Sequence, residues 1–152
     1  MKEKNLNNII NNNIKLLTKL NNKIQIKFTT NEKKDIFFLC DLEQMSRVIF
    51  NLIKNSIDSI SEKYLKNTDF KGLINIEIFK RNEYIDIIII DNGTGFKNKK
   101  KEELIKPYFT TKKNGSGLGL SIVNKIITDH NGVIKFSNYN DGAKIQINFN
   151  LN

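Results

Sequence analysis

A chain of 152 residues suffices for one domain with a single core, and 39% hydrophobic with 27% charged residues is the balance of a soluble globular protein, not of a disordered or fibrous one. Apolar runs such as Ile36 to Cys40 and Ile87 to Ile90 are far too short to cross a bilayer, the Lys/Asn-rich N-terminus lacks the apolar stretch of a secretory signal, and the lone Cys40 excludes an internal disulfide. The net charge of +9 comes from lysines scattered among Asn and Ile, with no basic helix interleaved with aromatics, so it does not argue for a nucleic-acid partner.

In chain order, Leu6 to Leu20 places Leu6, Ile9, Ile10, Ile14, Leu17 and Leu20 on one helical stripe. The intervening asparagines are poor helix formers, so this helix must lean on packing. Ile24, Ile26 and Phe28 alternate as a half-buried strand, and after a polar turn Ile36 to Cys40 reads as the returning strand. Asp41 and Gln44 then form a helix-start signature, with Asp41 as cap and Gln44 able to reach back. The helix that follows carries Leu42, Met45, Val48, Ile49, Leu52, Ile53, Ile57 and Ile60 on its expected core side. Asn51, Asn55 and Asp58 lie together on another face, so two side-chain amides converge beside the helix.

Gly72 to Phe79 and Tyr84 to Ile90 form a hairpin turning near Arg81 and Asn82. The second strand runs straight into Asp91-Asn92-Gly93-Thr94-Gly95-Phe96, which puts Asp91 where the chain leaves the sheet. Gly93 and Gly95 let a ligand approach the backbone. Lys97 to Lys113 is a long, basic connection of the kind that usually serves as a lid. Gly115-Ser116-Gly117-Leu118-Gly119-Leu120 then opens a helix reaching Asp129. Glycine-rich backbone entering a helix N-terminus offers free N–H groups and a positive dipole end to phosphate. An acidic acceptor at one end of this stretch and an anion cradle at the other fit a nucleotide, with Asp91 taking a base's exocyclic amine. A last hairpin, Val133 to Ser137 and Lys144 to Phe149, turns around Asn140-Asp141-Gly142. The order predicts a single α+β domain over 1–152. It is a two-layer α/β sandwich with a mixed, mostly antiparallel sheet and helices on one face.

Four motifs now stand in one order. Asn51-Leu52-x-x-Asn55 resembles the N box of sensor histidine kinases, and Asp91-x-Gly93-x-Gly95-Phe96 their first glycine box. Pro107-Tyr108-Phe109-Thr110-Thr111-Lys112 is similar to their F box, and Gly115-x-Gly117-x-Gly119-Leu120 to their second glycine box. The chain therefore resembles, from about Leu6 onward, the ATP-binding catalytic domain shared by histidine kinases, gyrase-type topoisomerases, heat-shock chaperones and mismatch-repair ATPases. Its wording is most similar to the nitrogen-regulation (NtrB/NtrY-type) sensor kinases.

The resemblance implies a Bergerat-type fold, the cofactors ATP and Mg²⁺, and a lid over about 96–117. Asp91 would read the adenine amine, Asn55 would ligate Mg²⁺ through its amide oxygen, and Asn51 would face the phosphates at the catalytic position. Gly93, Gly95, Gly115, Gly117, Leu118, Gly119 and Leu120 would close backbone on the nucleotide. Thr111 and Lys112 would lie at the phosphates, and Phe109 would anchor the lid. It also implies donation of the γ-phosphate to a histidine on a dimerisation module outside this chain, a response-regulator partner and little activity alone. The isolated domain would be monomeric and cytoplasmic, or the cytoplasmic part of a membrane-anchored receptor. Departures are Ser59, where many relatives carry an aromatic, and Ala143, where relatives often have Thr. The lone His130 reads as a surface residue near a helix C-terminus. Two alternatives stay open: a stand-alone anti-sigma-factor-type serine kinase and a non-catalytic nucleotide-binding adaptor. Serine-kinase and hydrolytic relatives usually place a glutamate base at the Asn51 position, which weighs against the first.

Overall fold

The computed structural model describes residues 1–110 and 117–152. Along the chain run β1 (Lys2–Asn5), α1 (Leu6–Leu20), β2 (Ile24–Thr30), β3 (Phe37–Cys40), α2 (Leu42–Lys66), β4 (Gly72–Lys80), β5 (Tyr84–Asp91), α3 (Lys101–Leu104), α4 (Gly119–Asp129), β6 (Gly132–Tyr139) and β7 (Gly142–Asn150). Five strands form one sheet in the order β2-β4-β5-β7-β6. Only β2 and β4 pair in parallel; the other three pairs are antiparallel.

Strand alternation decides what faces what. Ile74, Ile76 and Ile78 of β4, Ile85, Ile87 and Ile89 of β5, and Ile145, Ile147 and Phe149 of β7 are all buried on one face. That face meets Ile10 and Leu17 of α1, Leu52, Ile53 and Ile60 of α2, and Val123 and Ile127 of α4 in one core. The opposite face carries Glu77, Asp86, Gln146 and Lys144 in half-buried positions, so the helices form a single covering layer.

Two connections differ from the sequence expectation. The segment ending at Cys40 is not the return strand of β2. It pairs antiparallel with β1, Phe38 opposite Lys4, in a separate two-stranded ribbon. β2 instead lies parallel to β4, with α2 as part of the crossover, because its inward Ile24 must reach the core beside Gly72 and Ile60. The asparagines of α1 are also more than solvent-facing filler. Asn5 caps the helix, Asn7 accepts from the Ile36 N–H at 2.9 Å, and buried Asn13 donates to the Ile9 carbonyl and the Ser46 hydroxyl.

Candidate functional site

Asp91 occupies the last inward register position of β5, two residues beyond Ile89. Its cross-strand neighbours are Ile74 and Ala143. The period of two that buries Ile85, Ile87 and Ile89 thus carries a carboxylate under the helix layer, where it is only 5% exposed. Burial pushes its pKa up. Hydrogen bonds from the Gly93 and Ala143 amides, the nearby Ser56 hydroxyl and the Lys63 charge act in the opposite sense. The Gly93 N–H reaches Asp91 Oδ1 at 2.9 Å. The Ser56 hydroxyl, near enough to favour the charged carboxylate, meets no acceptor or donor at hydrogen-bonding geometry among the described residues, though it is buried.

A cavity of about 290 Å³ lies between this carboxylate and α2. That is near the lower end of the usual size for a small-molecule site. Asn51, Asn55, Ser56 and Asp91 share its wall. Asn51 and Asn55 continue along α2 into Ser59 and Lys63, a polar stripe repeating every four residues. Ser59 Oγ accepts from the Thr94 N–H at 2.8 Å and lies 3.0 Å from the Thr94 hydroxyl. Lys63 Nζ donates to the Asn92 and Gly93 carbonyls at 3.1 and 3.3 Å. The stripe therefore grips the loop after Asp91 at one end and carries the two amides at the other. Asp58 also lines the cavity and is ion-paired with Lys54 at 2.6 Å; Lys63, absent from the sequence expectation, is detectable by extending the spacing of four from Asn51 through Ser59.

The glycine boxes fall at close approaches. Gly95 has φ +72°, and a Cβ there would stand 2.9 Å from Asn138 Oδ1 and 3.0 Å from the Gly142 carbonyl. Gly117 has φ +74° and packs on the Tyr108 backbone, so any side chain there would collide with that backbone. Gly95, Phe109, Gly117, Gly119 and Leu120 line the cavity. Gly93 is buried against Ser59. Leu118 is the N-cap of α4, its carbonyl accepting from the Ser121 hydroxyl and the Ile122 N–H. The Leu118 side chain makes no cap hydrogen bond, and the first turn of α4 holds no acidic residue; a helix N-terminal end is the positive end of its dipole. Gly119 faces Asn51 across the cavity, a Cβ on it lying 3.8 Å from Asn51 Oδ1. Thr111, Lys112 and Gly115 lie outside the described residues.

The start of the connection after β5 is held on three sides. The Phe96 N–H donates to Asn138 Oδ1 at 2.8 Å, and the Phe96 ring meets Phe136 edge-on at 5.5 Å. Lys97 approaches Glu62 at 3.7 Å, and Leu104 of α3 is buried.

His130 departs from its expected surface position. It is 4% exposed, with Nδ1 2.8 Å from the Ile126 carbonyl and Nε2 accepting from the Asp41 N–H at 3.1 Å. These partners fit the tautomer with the proton on Nδ1. Asp41 Oδ1 does cap α2 through the Gln44 N–H. The Asp41 N–H that Gln44 was expected to take is held by His130 instead. A ring buried and bonded through both nitrogens is no accessible phosphate acceptor.

A mixed sheet covered on one face, with a buried carboxylate, an amide-bearing helix and the N-terminus of a second helix around one cavity, defines a nucleotide-binding α/β sandwich. Residues 40–152 match the family described as histidine kinase-, DNA gyrase B-, and HSP90-like ATPase, and the chain belongs to that family. It is an ATP-binding catalytic domain of the sensor histidine kinase type. A protein named as an NtrY-like sensor histidine kinase from Rickettsia bellii is 35% identical over 144 residues, 94% of this chain and 22% of its own length. Sensor histidine kinase ZraS of Salmonella typhimurium is 34% identical over 134 residues, 86% of this chain and 27% of its own. The chain thus spans about a quarter or less of these relatives. Among solved structures, the nucleotide-free catalytic domain of histidine kinase ThkA superposes with a TM-score of 0.85 at 29% identity, covering 98% of this chain and 94% of that one. ThkA in complex with the response regulator TrrA gives 0.79 at 26% identity, covering 99% and 42%. No helix among the described residues is long and apolar enough to cross a membrane.

Proposed function

We propose that this domain binds Mg²⁺–ATP and donates the γ-phosphate to a histidine on a dimerisation module outside the chain, within a two-component phosphorelay ending at a response regulator. The single observation that carries the proposal is a buried carboxylate, Asp91, sharing one cavity with Asn51 and Asn55. Asp91 accepts the adenine amine, and the Ser56 hydroxyl, which meets no partner at hydrogen-bonding geometry among the described residues, is available to the base or to a water beside it. Asn51 faces the phosphates, as do Gly117, Gly119 and the α4 N-terminus; Thr111, Lys112 and Gly115 belong to the same end by sequence.

The donor set suits Mg²⁺ and not a softer ion. Among the described residues there is no cluster of three His, Cys, Asp or Glu side chains, and Asn55 offers a hard amide oxygen to a cation that keeps most of its waters. When bound, Mg²⁺ would neutralise phosphate charge. Residues about 96–117 act as the lid, Phe109 anchoring it at the cavity. The single domain over 1–152 works in the cytoplasm, as a monomer when isolated. Neither the serine-kinase nor the adaptor alternative gains support from the relatives above.

Titrating ATP and GTP with and without Mg²⁺ tests this. Guanine presents a carbonyl where adenine presents an amine, which leaves a buried carboxylate facing an acceptor, so GTP is expected to bind at least about tenfold more weakly. Equal affinities would remove Asp91 from base recognition. Asn55→Ala is expected to weaken Mg²⁺–ATP by about tenfold while leaving metal-free nucleotide within about twofold.

A further inference from the structure

The peptide joining Asn92 to Gly93 is held from both sides. Its N–H, that of Gly93, donates to Asp91 Oδ1 at 2.9 Å. Its carbonyl, that of Asn92, accepts from Lys63 Nζ at 3.1 Å. The ammonium also reaches the Gly93 carbonyl at 3.3 Å and stands 4.8 Å from the centre of the Phe70 ring, so the half-buried side chain has a fixed seat. The Asn92 side chain secures the same turn from the β4 side, donating to the Lys71 carbonyl at 2.9 Å and accepting from the Leu73 N–H at 2.8 Å. A cation on a peptide carbonyl polarises that peptide and strengthens its N–H as a donor. Lys63, Asn92 carbonyl, Gly93 N–H and Asp91 carboxylate are thus four links of one chain, running from the last turns of α2 to the base end of the cavity.

We infer that Lys63 is a positioning residue for base recognition: through the Asn92–Gly93 peptide it fixes the orientation of the Asp91 carboxylate, and so sets how sharply the site separates adenine from a base with a carbonyl at the same ring position. The inference rests on the proposed nucleotide function. It goes beyond it in assigning selectivity to a residue that points away from the ligand and lies twelve positions beyond Asn51 on the same stripe. A plain loop anchor would affect every nucleotide alike. A residue that aims Asp91 affects only the ligand Asp91 reads.

The test compares ATP with inosine triphosphate, which has a carbonyl in place of the amine, on the full 152-residue chain with Mg²⁺. Lys63→Met keeps the stem over Phe70 and removes the charge. It is expected to weaken ATP about tenfold and inosine triphosphate less than about twofold, narrowing the ratio between them, and to shift the Gly93 amide proton upfield in NMR spectra. Lys63→Arg should keep the ratio within about threefold of the parent. Equal weakening of both nucleotides, or an unchanged ratio in Lys63→Met, overturns the proposal while leaving the ATP function standing. A parent chain that does not prefer ATP removes the Asp91 reading, and the Lys63 role falls with it. Should the Met variant fail to fold, Lys63→Gln, which donates without charge, is read by the same ratio: narrowing by about threefold or more supports the role, and no narrowing overturns it.

Discussion

Asp91 shows how one residue can serve function at a cost to folding. Burial holds its carboxyl pKa above the ordinary value, so the folded chain keeps a proton that the unfolded chain would release. Stability is therefore highest below the ordinary carboxylate range and is lost as pH rises toward the raised value; above that value the loss is constant. Nucleotide binding runs the other way, because the adenine amine needs the ionised acceptor, so ATP affinity should fall as pH drops through the raised value. Asp91→Asn keeps an oxygen for the Gly93 N–H and removes the charge. Its stability at neutral pH should equal or exceed the parent's, with this part of the acid-range pH dependence gone, while ATP binding weakens by about 1.5–3 kcal/mol. Thermal melts across pH and a calorimetric titration check both halves; a neutral-pH loss of stability with intact binding would contradict the assignment. Ser56 separates the same two quantities. Ser56→Ala removes a buried hydroxyl that meets no partner at hydrogen-bonding geometry among the described residues and only favours the nearby carboxylate, so the melting temperature of the nucleotide-free chain should change little. The rise in melting temperature on adding ATP should shrink, and an undiminished rise would mean that the hydroxyl is no part of the base site.

At the scale of elements, α2 and α4 carry the two sides of the cavity, and His130 joins them. Its ring links the last turn of α4 to the Asp41 N–H at the start of α2. Replacing His130 by Ala should cost about 2–4 kcal/mol, from an unpaired buried N–H plus a small cavity. Urea denaturation measures it; a loss below about 0.5 kcal/mol would show the joint to be ornamental. This joint was illegible in the sequence, because Asp41 and His130 lie 89 positions apart and a lone histidine carries no periodic signal. The β1–β3 ribbon was hidden for a related reason: β1 is only four residues, mostly Lys and Asn, and its partner's apolar residues fit a hairpin with β2 equally well. Asn51, Asn55, Asp91, Gly95, Gly117 and Gly119, which the fold gathers around one cavity, stood out in the sequence because polar residues at helical spacing and glycines at close approaches form patterns at fixed intervals. Asn7 and Asn13 were not, since only the packed fold distinguishes a buried asparagine from a solvent-facing one.

Over the whole molecule, the sheet order lays α2 along the cavity, so that Asn51 and Lys63 lie about 18 Å apart along one helix. In the proposed reading that reach suits an extended nucleoside triphosphate, with the base at the Lys63 end and the phosphates at the Asn51 end. It also separates the carboxylates from the place where a proton would have to be taken. Asp91 is at the base end. Asp58 and Glu62 line the cavity, but each follows Asn51 by two to three helical turns, and each is paired, with Lys54 and Lys97 respectively. Near the phosphates the side chain on α2 is the Asn51 amide, which has no useful basicity. Among the described residues water would meet no group able to deprotonate it there, whereas a neutral imidazole from another module needs little activation. His130 cannot supply that imidazole, being buried with both nitrogens engaged. The isolated chain should therefore bind ATP yet release phosphate at well under one turnover per minute, far below typical kinase turnover. It should carry no acid-labile label of its own and yield such label only when a module bearing an accessible histidine is added. Incubation with γ-labelled ATP, with and without that module, measures both, and fast release abolished by Asn51→Ala would make the domain a hydrolase instead.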